Sequence, residues 1–323
     1  MIILSILSQN TMTSVVRLLI HPATWVCVLL AIAPSSSIID YQEEELERTE
    51  LEQKIVPWYA TSPGHSVFGE YVGAHWCGPC MSSASPSLDN LKTSNPEEFT
   101  FVSFFESSSG GWPSDGPVNR QTHIMQSSSG YPTFSFADSQ SGSCYKVGAS
   151  GTNYYDSDFS SGGCMGSSSN DFQLEMSMSL NSSTEEVTIT LDSIYTGSLS
   201  SFEVYVYGAV TEKEGADSYD NGVKPHHNWR GWLLNSADSG FQQLTLSQGV
   251  WESHTWTAPL SLVRASGGYT QWENFWPVFA LMDGPHSSYN EFLVAIDPDM
   301  GPMIDVEILE FEVQNTNGGI GFT

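Results

Sequence analysis

The sequence predicts an α/β domain over residues 56–168, followed by an all-β antiparallel sandwich over residues 169–315 and a short tail over 316–323. Three observations support this fold class. Short apolar runs alternate with helix-prone segments in the first part, whereas hydrophobic residues recur at every second position in the second part. A Ser/Gly-rich stretch from Ser160 to Asn170 separates the two patterns. Each part is long enough to bury a core of its own.

The amino-terminal segment, residues 1–37, has the pattern of a secretory signal peptide. It contains no Asp or Glu, one basic residue (Arg17), an apolar run from Trp25 to Ala33, and then a proline and three serines. The apolar run is about half the roughly 20 residues that a membrane span needs. We therefore expect cleavage near Ser37, a secreted or cell-envelope location, and no membrane span in the mature chain. An uncleaved signal anchor is the alternative.

The charge balance is strongly acidic. The chain has 10 Lys and Arg against 37 Asp and Glu, a net charge of −27. Such a chain is repelled by nucleic acid and by anionic membrane surfaces, so we expect it to bind neither. Residues 38–55 concentrate acidic side chains in an acidic lead-in, which we interpret as a solvated linker or a short exposed helix without chemistry.

The elements of the first part follow from apolar runs and breakers. We expect a helix from residue 77 toward residue 91, kinked at Pro86, and a second helix around 118–125. The glycine-rich segment 110–116 is expected to form a loop at the edge of a groove. The predicted strands cover residues 66–72, 99–104, the run after Pro132, and 144–147.

The stretch from Trp76 to Cys80 reads Trp-Cys-Gly-Pro-Cys and places two thiols one helical turn apart, just after an apolar strand. If a helix begins near Cys77, its unpaired N–H groups and dipole stabilise the Cys77 thiolate, and such placement lowers a cysteine pKa to roughly 3.5–7.5. Cys80 can then resolve a mixed disulfide, and Pro79 is tolerated in the first helical turn. Trp76 would cover the pair and limit the access of water.

Two other interpretations of this spacing are a permanent buried disulfide and half of a metal site. No second Cys-x-x-Cys and no nearby His pair completes a tetrahedral set of ligands. We therefore predict no metal and no cofactor. His226 and His227 are adjacent, and on a strand they would project to opposite faces, so we do not expect them to share a metal ion.

The string from Trp76 to Cys80 matches the active-site signature of thioredoxins at every position, and the chain resembles thioredoxins over roughly 110 residues. The resemblance implies a thioredoxin-like α/β domain and thiol–disulfide oxidoreductase activity with Cys77 and Cys80 as catalytic residues. The run from Gly130 to Phe136 is similar to the strand that begins with a cis-proline in this family. The resemblance implies that Pro132 packs against the dithiol and shares the catalytic site; an ordinary trans-proline is the alternative.

The substrate groove follows from the same resemblance. It implies that Trp76, Gly78, Pro79 and Tyr131 line the groove, and that the backbone of Tyr131 pairs with an extended substrate segment. The expected partners are protein disulfide or thiol substrates and a separate redox partner. The overall layout, including the His-Asn-Trp region at 226–234, resembles that of the Omp28-related exported proteins.

One position departs from the thioredoxin pattern. Thioredoxins carry a buried aspartate six positions before the first cysteine, where this chain has Tyr71. The nearest acid is Glu70, and neighbouring residues on a strand face opposite ways, so Glu70 cannot simply replace it. The sequence therefore leaves the handling of protons at the dithiol open.

Five cysteines are present, and Cys27 would be removed with the signal. The remaining set suggests a structural disulfide between Cys144 and Cys164, which persists only in an oxidising compartment. Two free buried thiols are the alternative.

Two functions remain in view from the sequence. The first is an exported oxidoreductase that uses Cys77 and Cys80 on protein disulfides. The second is an exported binding or adhesion protein, with the β-sandwich as its functional part and a dithiol that is structural or vestigial.

Overall fold

A computed structural model describes residues 66–108, 120–126, 130–166, 169–234, 241–285 and 290–300, together with short backbone segments at 2–8, 12–18, 58–61, 315–316 and 319–320. The chain divides into two compact units, Val56–Ile304 and the combined ends Met1–Ile55 with Asp305–Thr323. Three predicted features lie outside the described residues: the apolar run of the signal, the acidic lead-in, and the loop at 110–116.

The fold is mostly β-sheet with few helices. The strands are β1 (Ile2–Ser8), β2 (Met12–Leu18), β3 (Trp58–Thr61), β4 (Val67–Ala74), β5 (Phe99–Glu106), β6 (Thr133–Phe136), β7 (Tyr145–Val147), β8 (Phe172–Asn181), β9 (Glu186–Tyr195), β10 (Ser201–Glu214), β11 (His226–Trp232), β12 (Phe241–Ser247), β13 (Trp251–Pro259), β14 (Phe275–Met282), β15 (Phe292–Ile296), β16 (Asn315–Thr316) and β17 (Gly319–Ile320). The helices are α1 (Ser85–Ser94), α2 (Arg120–Met125) and α3 (Asp156–Ser160), with short 3₁₀ turns at Ser169–Asp171 and Leu260–Leu262. Among the described residues, no helix is both long and apolar enough to cross a bilayer.

In the unit formed by the chain ends, the described backbone consists of two antiparallel pairs. Strand β1 pairs with β2, and β16 pairs with β17.

In the described part of the larger unit, nine strands form one sheet with the order β15-β14-β10-β11-β5-β4-β6-β7, in which β12 also pairs with β10. Strands β4 and β5 run parallel over eight residues each, and β6 and β7 extend the sheet in antiparallel fashion. Strand β11 joins β5 in parallel through Asn228 and Ser103. Strands from both sides of residue 168 thus share one sheet, and the boundary at 168/169 remains a prediction within one compact unit.

Strand β4 is buried along its whole length. It lies in the interior of the sheet with a core on each face: Val67 and Tyr71 belong to the cluster that contains both cysteines of the motif, whereas Phe68 and Val72 belong to the cluster on the other side. Burial on both faces accounts for the nearly continuous apolar run that marked this strand in the sequence.

The helix after the motif has an irregular start. A π-helical turn covers Cys80–Ala84, and α1 continues the helix to Ser94. Pro86 has no N–H to donate to the carbonyl four residues before it. The Ser85 N–H bonds instead to the Cys80 carbonyl, five residues back, which defines the π turn. The sequence predicts a kink at Pro86, and in the structure the helical hydrogen-bonding pattern changes directly before this residue.

The β-rich character predicted for the second part is confirmed. Strands β8 and β9 alternate buried and more exposed residues along most of their length, and β9, β8 and β13 form an antiparallel four-stranded sheet with β3. Their inward side chains share one hydrophobic core with residues of β10, β12, β14 and β15. Two sheets that share a core in this way fit the predicted antiparallel sandwich.

Candidate functional site

Cys77 and Cys80 form a disulfide at the point where β4 gives way to the helix, with their Cα atoms 5.2 Å apart. The Cys77 N–H donates to the carbonyl of Ala74 at 3.0 Å, which closes a tight turn after the strand. The Cys80 N–H points at the Cys77 sulfur, with the nitrogen 3.2 Å from Sγ. A backbone N–H directed at a sulfur stabilises that sulfur as an anion once the disulfide is reduced.

The two sulfur-bearing residues are covered, but their immediate neighbours are not. Cys77 is 2% exposed and Cys80 is 0% exposed, whereas Gly78 and Pro79 between them are exposed. Trp76 is 53% exposed. The disulfide therefore lies directly beneath a surface rim, and a reacting partner would approach across Trp76, Gly78 and Pro79.

Tyr131 stands beside this rim. Its ring meets the Trp76 ring edge to face, with the ring centroids 5.3 Å apart. The Tyr131 hydroxyl donates to Oε2 of Glu106 at 3.1 Å, and burial together with this carboxylate raises the pKa of Tyr131. Tyr131 thus lies with Trp76 at one side of the motif.

The Tyr131–Pro132 peptide bond is cis, as the thioredoxin resemblance implies. Pro132 is buried and directly precedes β6, the strand that pairs with β4. Its carbonyl accepts the N–H of Gly148 at 2.7 Å. Packing of Pro132 against the sulfur atoms themselves stays a prediction.

Two tyrosine hydroxyls meet below the motif. Tyr71 Oη and Tyr219 Oη are 3.0 Å apart in a buried hydrogen bond. Burial is the main reason that the pKa of each of these tyrosines is raised, so both are neutral at ordinary pH. Gly73 makes room for this arrangement, because a Cβ at that position would collide with the Tyr71 hydroxyl.

Glu70 lies on the other face of β4, as its place next to Tyr71 predicts. It is fully buried, and Arg120 grips its carboxylate with two hydrogen bonds, Nε to Oε1 at 2.8 Å and Nη2 to Oε2 at 2.6 Å. The same guanidinium contacts Asp138 at 2.7 Å, and His123 Nε2 lies 2.9 Å from that aspartate. The charge of Glu70 is therefore committed to an ion network away from the dithiol.

The segment between β10 and β11 reaches the motif from the second half of the chain. The Asp220 N–H donates to the carbonyl of His75 at 3.0 Å, and Asp220 Oδ1 lies 3.0 Å from Nδ1 of the same histidine. Tyr219 packs edge to face on Phe105, with the ring centroids 4.9 Å apart. Sequence reasoning missed Tyr219 and Asp220 at the site, since they follow Tyr71 by nearly 150 residues and belong to no motif.

Cys144 and Cys164 are joined by a disulfide, with their Cα atoms 6.2 Å apart. It ties the segment before β7 to the segment that follows α3. In the chain-entropy model, a loop of this length corresponds to about 3 kcal/mol of stabilisation.

The adjacent histidines occupy different environments. His226 Nδ1 pairs with Asp89 Oδ1 at 2.7 Å, whereas the buried His227 uses its Nδ1 on the carbonyl of Phe101 at 3.1 Å and stacks on the Phe101 ring. The pKa of His226 is raised by Asp89, and burial lowers that of His227 well below its ordinary value. In the part of the chain that the structure describes, no group of three His, Cys, Asp or Glu side chains is arranged to hold a metal ion.

Comparisons with known proteins bear on the fold alone. No family model matches the chain, and no curated protein matches it. Among solved structures, HBP35 of Porphyromonas gingivalis is similar, with a TM-score of 0.53, 13% sequence identity, and coverage of 80% of this chain and 84% of that chain. This likeness supports the β-rich fold over most of the chain.

Two structures of a β-glucosidase from Kluyveromyces marxianus also match in part. The selenomethionine-labelled form has a TM-score of 0.20 and 13% identity, over 35% of this chain and 12% of that one. The glucose complex has a TM-score of 0.19 and 13% identity, over 36% and 12%. Similarity at this level carries no argument.

Proposed function

We propose that this protein is an exported thiol–disulfide oxidoreductase. The observation that carries the proposal is the Cys77–Cys80 disulfide at the start of the helix after β4, directly beneath a rim of exposed motif residues. A disulfide that only stapled the fold would gain little from this position, because it closes a loop of a few residues and restricts the unfolded chain least.

The reaction is a pair of exchange steps. In the reduced protein, the Cys77 thiolate attacks one sulfur of a substrate disulfide, forms a mixed disulfide, and releases the other substrate sulfur as a thiolate. Cys80 then loses its proton and attacks the Cys77 sulfur, which releases the second substrate thiolate and regenerates the Cys77–Cys80 disulfide. The substrate gains two electrons and the dithiol loses two, so a separate dithiol partner must reduce the protein again.

The arrangement around the sulfurs supports the roles of the rim residues. Trp76 and Tyr131 form an aromatic wall, and Gly78 and Pro79 leave the approach to Cys77 free of bulky side chains. An extended substrate segment would pair with the backbone at Tyr131, next to the start of β6. These four residues constitute the proposed substrate groove, and Cys77, Cys80 and Pro132 the catalytic set.

The thioredoxin-like domain is part of the proposal. The parallel pair β4–β5, extended by β6 and β7, agrees with the α/β domain that the resemblance implies. Export agrees with the Cys144–Cys164 disulfide, since such bonds persist in oxidising compartments. We also propose, on the same basis, that the chain shares the overall layout of the Omp28-related exported proteins.

The burial of both sulfurs favours a second candidate. With Cys77 only 2% exposed and Cys80 fully covered, the dithiol of an exported binding or adhesion protein could serve as a structural bond while the β-sandwich performs the function. This candidate requires that the Cys77–Cys80 bond resists reduction by ordinary thiols.

An insulin-reduction assay with dithiothreitol as the reductant separates the two candidates. We expect the protein to accelerate the precipitation of insulin chains and expect Cys77→Ser to remove the acceleration. The matched control is the double variant Cys144→Ser/Cys164→Ser, which removes the other disulfide, lowers the stability by about 3 kcal/mol and keeps the activity per folded molecule. Equal rates for Cys77→Ser and the parent protein would favour the binding protein.

The direction of exchange in the cell follows from the reduction potential, measured by equilibration with glutathione. A potential near roughly −270 mV assigns a reductase, and one near roughly −120 mV assigns an oxidase.

A further inference from the structure

The resolving step has a requirement that the motif alone does not meet. Cys80 must lose a proton as it attacks, yet Cys80 is 0% exposed and therefore has no direct contact with bulk solvent. The buried cluster that contains Cys77 and Cys80 also contains Tyr71, Tyr155 and Tyr219. A tyrosine hydroxyl can donate and accept a proton, so these hydroxyls are candidates for the first group that moves the Cys80 proton.

Tyr71 provides the first hydroxyl. It belongs to the same buried cluster as the two cysteines, and its side chain lies along β4 over Gly73, toward the end of the strand that leads into the motif. Its hydroxyl bonds to that of Tyr219 at 3.0 Å. The pKa of each tyrosine is raised by burial, so both hydroxyls keep their protons and can donate and accept at the same time.

Ser85 continues the series. Its side chain acts on the Tyr219 hydroxyl and lowers the pKa of that tyrosine against the larger effect of burial, and its backbone N–H closes the π turn on the Cys80 carbonyl. Ser85 is thus fixed to the resolving cysteine through the backbone and to the tyrosine pair through its side chain. The π turn, which appeared above as an irregularity before Pro86, holds this serine in place.

Asp89 lies four residues after Ser85 on α1, and residues at this spacing are neighbours on a helix surface. Its charge acts on both Tyr71 and Tyr219, which indicates that it stands at the same end of the cluster. Asp89 Oδ1 pairs with His226 Nδ1 at 2.7 Å, and the His226 side chain is 37% exposed. This carboxylate and histidine form the first pair along the series that meets solvent.

We propose that the hydroxyls of Tyr71, Tyr219 and Ser85 relay the Cys80 proton to the Asp89–His226 pair, so that the second half of the chain completes the redox site. Tyr219 and His226 both come from that half and flank the segment between β10 and β11. The inference rests on the proposed function, and it gives the all-β part a role in the chemistry of the dithiol. These are positioning and relay residues that act on Cys80, while the sulfur chemistry stays with the two cysteines.

The balanced step is as follows. The Cys80 thiol transfers its proton to the nearest hydroxyl as its sulfur bonds to Cys77 and the substrate thiolate leaves with the electron pair of the broken S–S bond. Each hydroxyl passes one proton onward and regains one, so the tyrosines and the serine end unchanged. The proton reaches the Asp89–His226 pair and then water. Reduction of the disulfide by a dithiol partner uses the same groups in reverse.

The pKa values of Tyr71 and His226, near the two ends of this path, depend on the following neighbouring groups. Tyr71 is influenced by Tyr219, Tyr155 and Asp89. Besides Asp89, the charges that act on His226 are those of Glu214, which raises its pKa, and Lys213, which lowers it.

The test follows the oxidation of the reduced Cys77–Cys80 dithiol by glutathione disulfide in a stopped-flow instrument, with tryptophan fluorescence as the signal. A phase that depends on the glutathione disulfide concentration reports the attack by Cys77, and a concentration-independent phase reports resolution by Cys80. We expect Tyr219→Phe to slow the second phase about tenfold near neutral pH, less than the roughly 10²- to 10⁴-fold of direct acid–base catalysis, because solvent replaces part of the relay. The first phase should stay within about twofold, since the relay does not act on Cys77.

The pH profile distinguishes a relay from a structural effect. The deficit of Tyr219→Phe should shrink as the pH rises, because hydroxide then removes the proton, and His226→Gln should slow the same phase with the same trend. The double variant Tyr71→Phe/Tyr219→Phe removes both hydroxyls, so that neither is left buried without its partner. It should therefore show the same kinetic defect in a stably folded protein. Unchanged resolution in both variants, or equal slowing of both phases at every pH, would overturn the relay.

Tyr155→Phe is the matched control. Tyr155 is a buried tyrosine of the same cluster, and its hydroxyl has no hydrogen-bond partner among the described residues. Its removal should leave the attack phase unchanged and should alter the resolution phase far less than Tyr219→Phe does, because Tyr155 affects the Tyr71 pKa less than burial and Tyr219 do. If the tyrosine variants resolve the mixed disulfide at the normal rate and reduce insulin normally, the relay is rejected and the oxidoreductase is kept. If Cys77→Ser also reduces insulin normally, the oxidoreductase itself is rejected.

Discussion

The two faces of β4 carry buried polar groups of different kinds. On one face, the buried carboxylate of Glu70 is held by two hydrogen bonds from Arg120, and Asp138 and His123 extend this network. On the other face, one residue further along, Tyr71 presents a neutral hydroxyl to another neutral hydroxyl beneath the dithiol. Consecutive residues of a single strand thus supply a structural charge and a site for proton transfer, separated by the thickness of the sheet.

The difference has a physical reason. A buried carboxylate next to the dithiol would raise the pKa of the cysteines by repulsion, which opposes formation of a thiolate. Hydroxyls can move protons without adding charge. On the far face, a charged group harms no reaction, and a bidentate Arg–Glu pair fixes the geometry between β4 and α2. The comparison predicts that changes on the far face affect stability and changes on the near face affect chemistry.

The largest expected effect is that of Arg120→Met. The variant leaves Glu70 and Asp138 buried without their cation, and removal of one partner from a buried ion pair costs about 3–5 kcal/mol. Urea unfolding measures this loss. Asp299→Asn is the control: it removes the partially exposed partner of Lys213, 3.6 Å away, and should cost about 0–1 kcal/mol. A cost for Arg120→Met as small as that of the control would show that the network is not structural, and altered Cys77 reactivity in the folded variant would show that the two faces are coupled.

A smaller effect is expected for Gly73→Ala on the near face. The new methyl group meets the Tyr71 ring and hydroxyl, and overpacking of this kind costs about 1–3 kcal/mol. Because the Tyr71 hydroxyl must move, the resolution phase of the stopped-flow experiment should slow while the attack phase is retained. Gly231→Ala, where a Cβ meets only ordinary contacts with Leu262, is the matched control for stability. Unaltered resolution in a destabilised Gly73→Ala would break the link between this hydroxyl and the dithiol.

The smallest effect concerns His227, the buried neutral histidine that stacks on Phe101. Its folded-state pKa lies below the ordinary value of 6.5 because burial opposes the charged form. Its contribution to stability is therefore present above pH 6.5 and is lost as the pH falls through the window between 6.5 and the folded-state pKa. Within that window, one proton more is bound on unfolding, which amounts to about 1.4 kcal/mol per pH unit.

Measurement of unfolding against pH checks this contribution, with His227→Asn as the comparison, since asparagine also tolerates the positive φ at this position. The acid slope of the parent protein should decrease by about one proton in the variant. Identical slopes would mean that His227 is protonated in the folded state.

Local signals in the sequence predicted the near surroundings of the dithiol. The motif from Trp76 to Cys80 and the position of Glu70 each depend on residues within one strand or one helical turn, whereas the cis bond at Pro132 is what the thioredoxin resemblance implied. Strict alternation predicted β8 and β9 for the same reason. These features depend on the short-range geometry of strands and helices, which can be inferred from the order of neighbouring residues.

Long-range partners could not be predicted in the same way. Tyr219 and Asp220 reach the motif only because β11 joins β5, and a single parallel pairing between distant segments leaves no periodic pattern. The π turn at Cys80–Ala84 forms because the Ser85 N–H bonds to the carbonyl five residues back instead of four. Helix propensities do not distinguish between acceptors that are one residue apart.

The central claim is that Cys77 is a reactive thiolate, and the rate of its alkylation by iodoacetamide as a function of pH tests it most directly. The reduced protein is labelled briefly at each pH, and mass spectrometry of the peptide that contains Cys77 gives the rate at that sulfur. We expect the rate to rise with a midpoint within the roughly 3.5–7.5 range of activated cysteines. A midpoint near the ordinary thiol value of about 8.5, or a sulfur that does not react at any pH, would contradict the account.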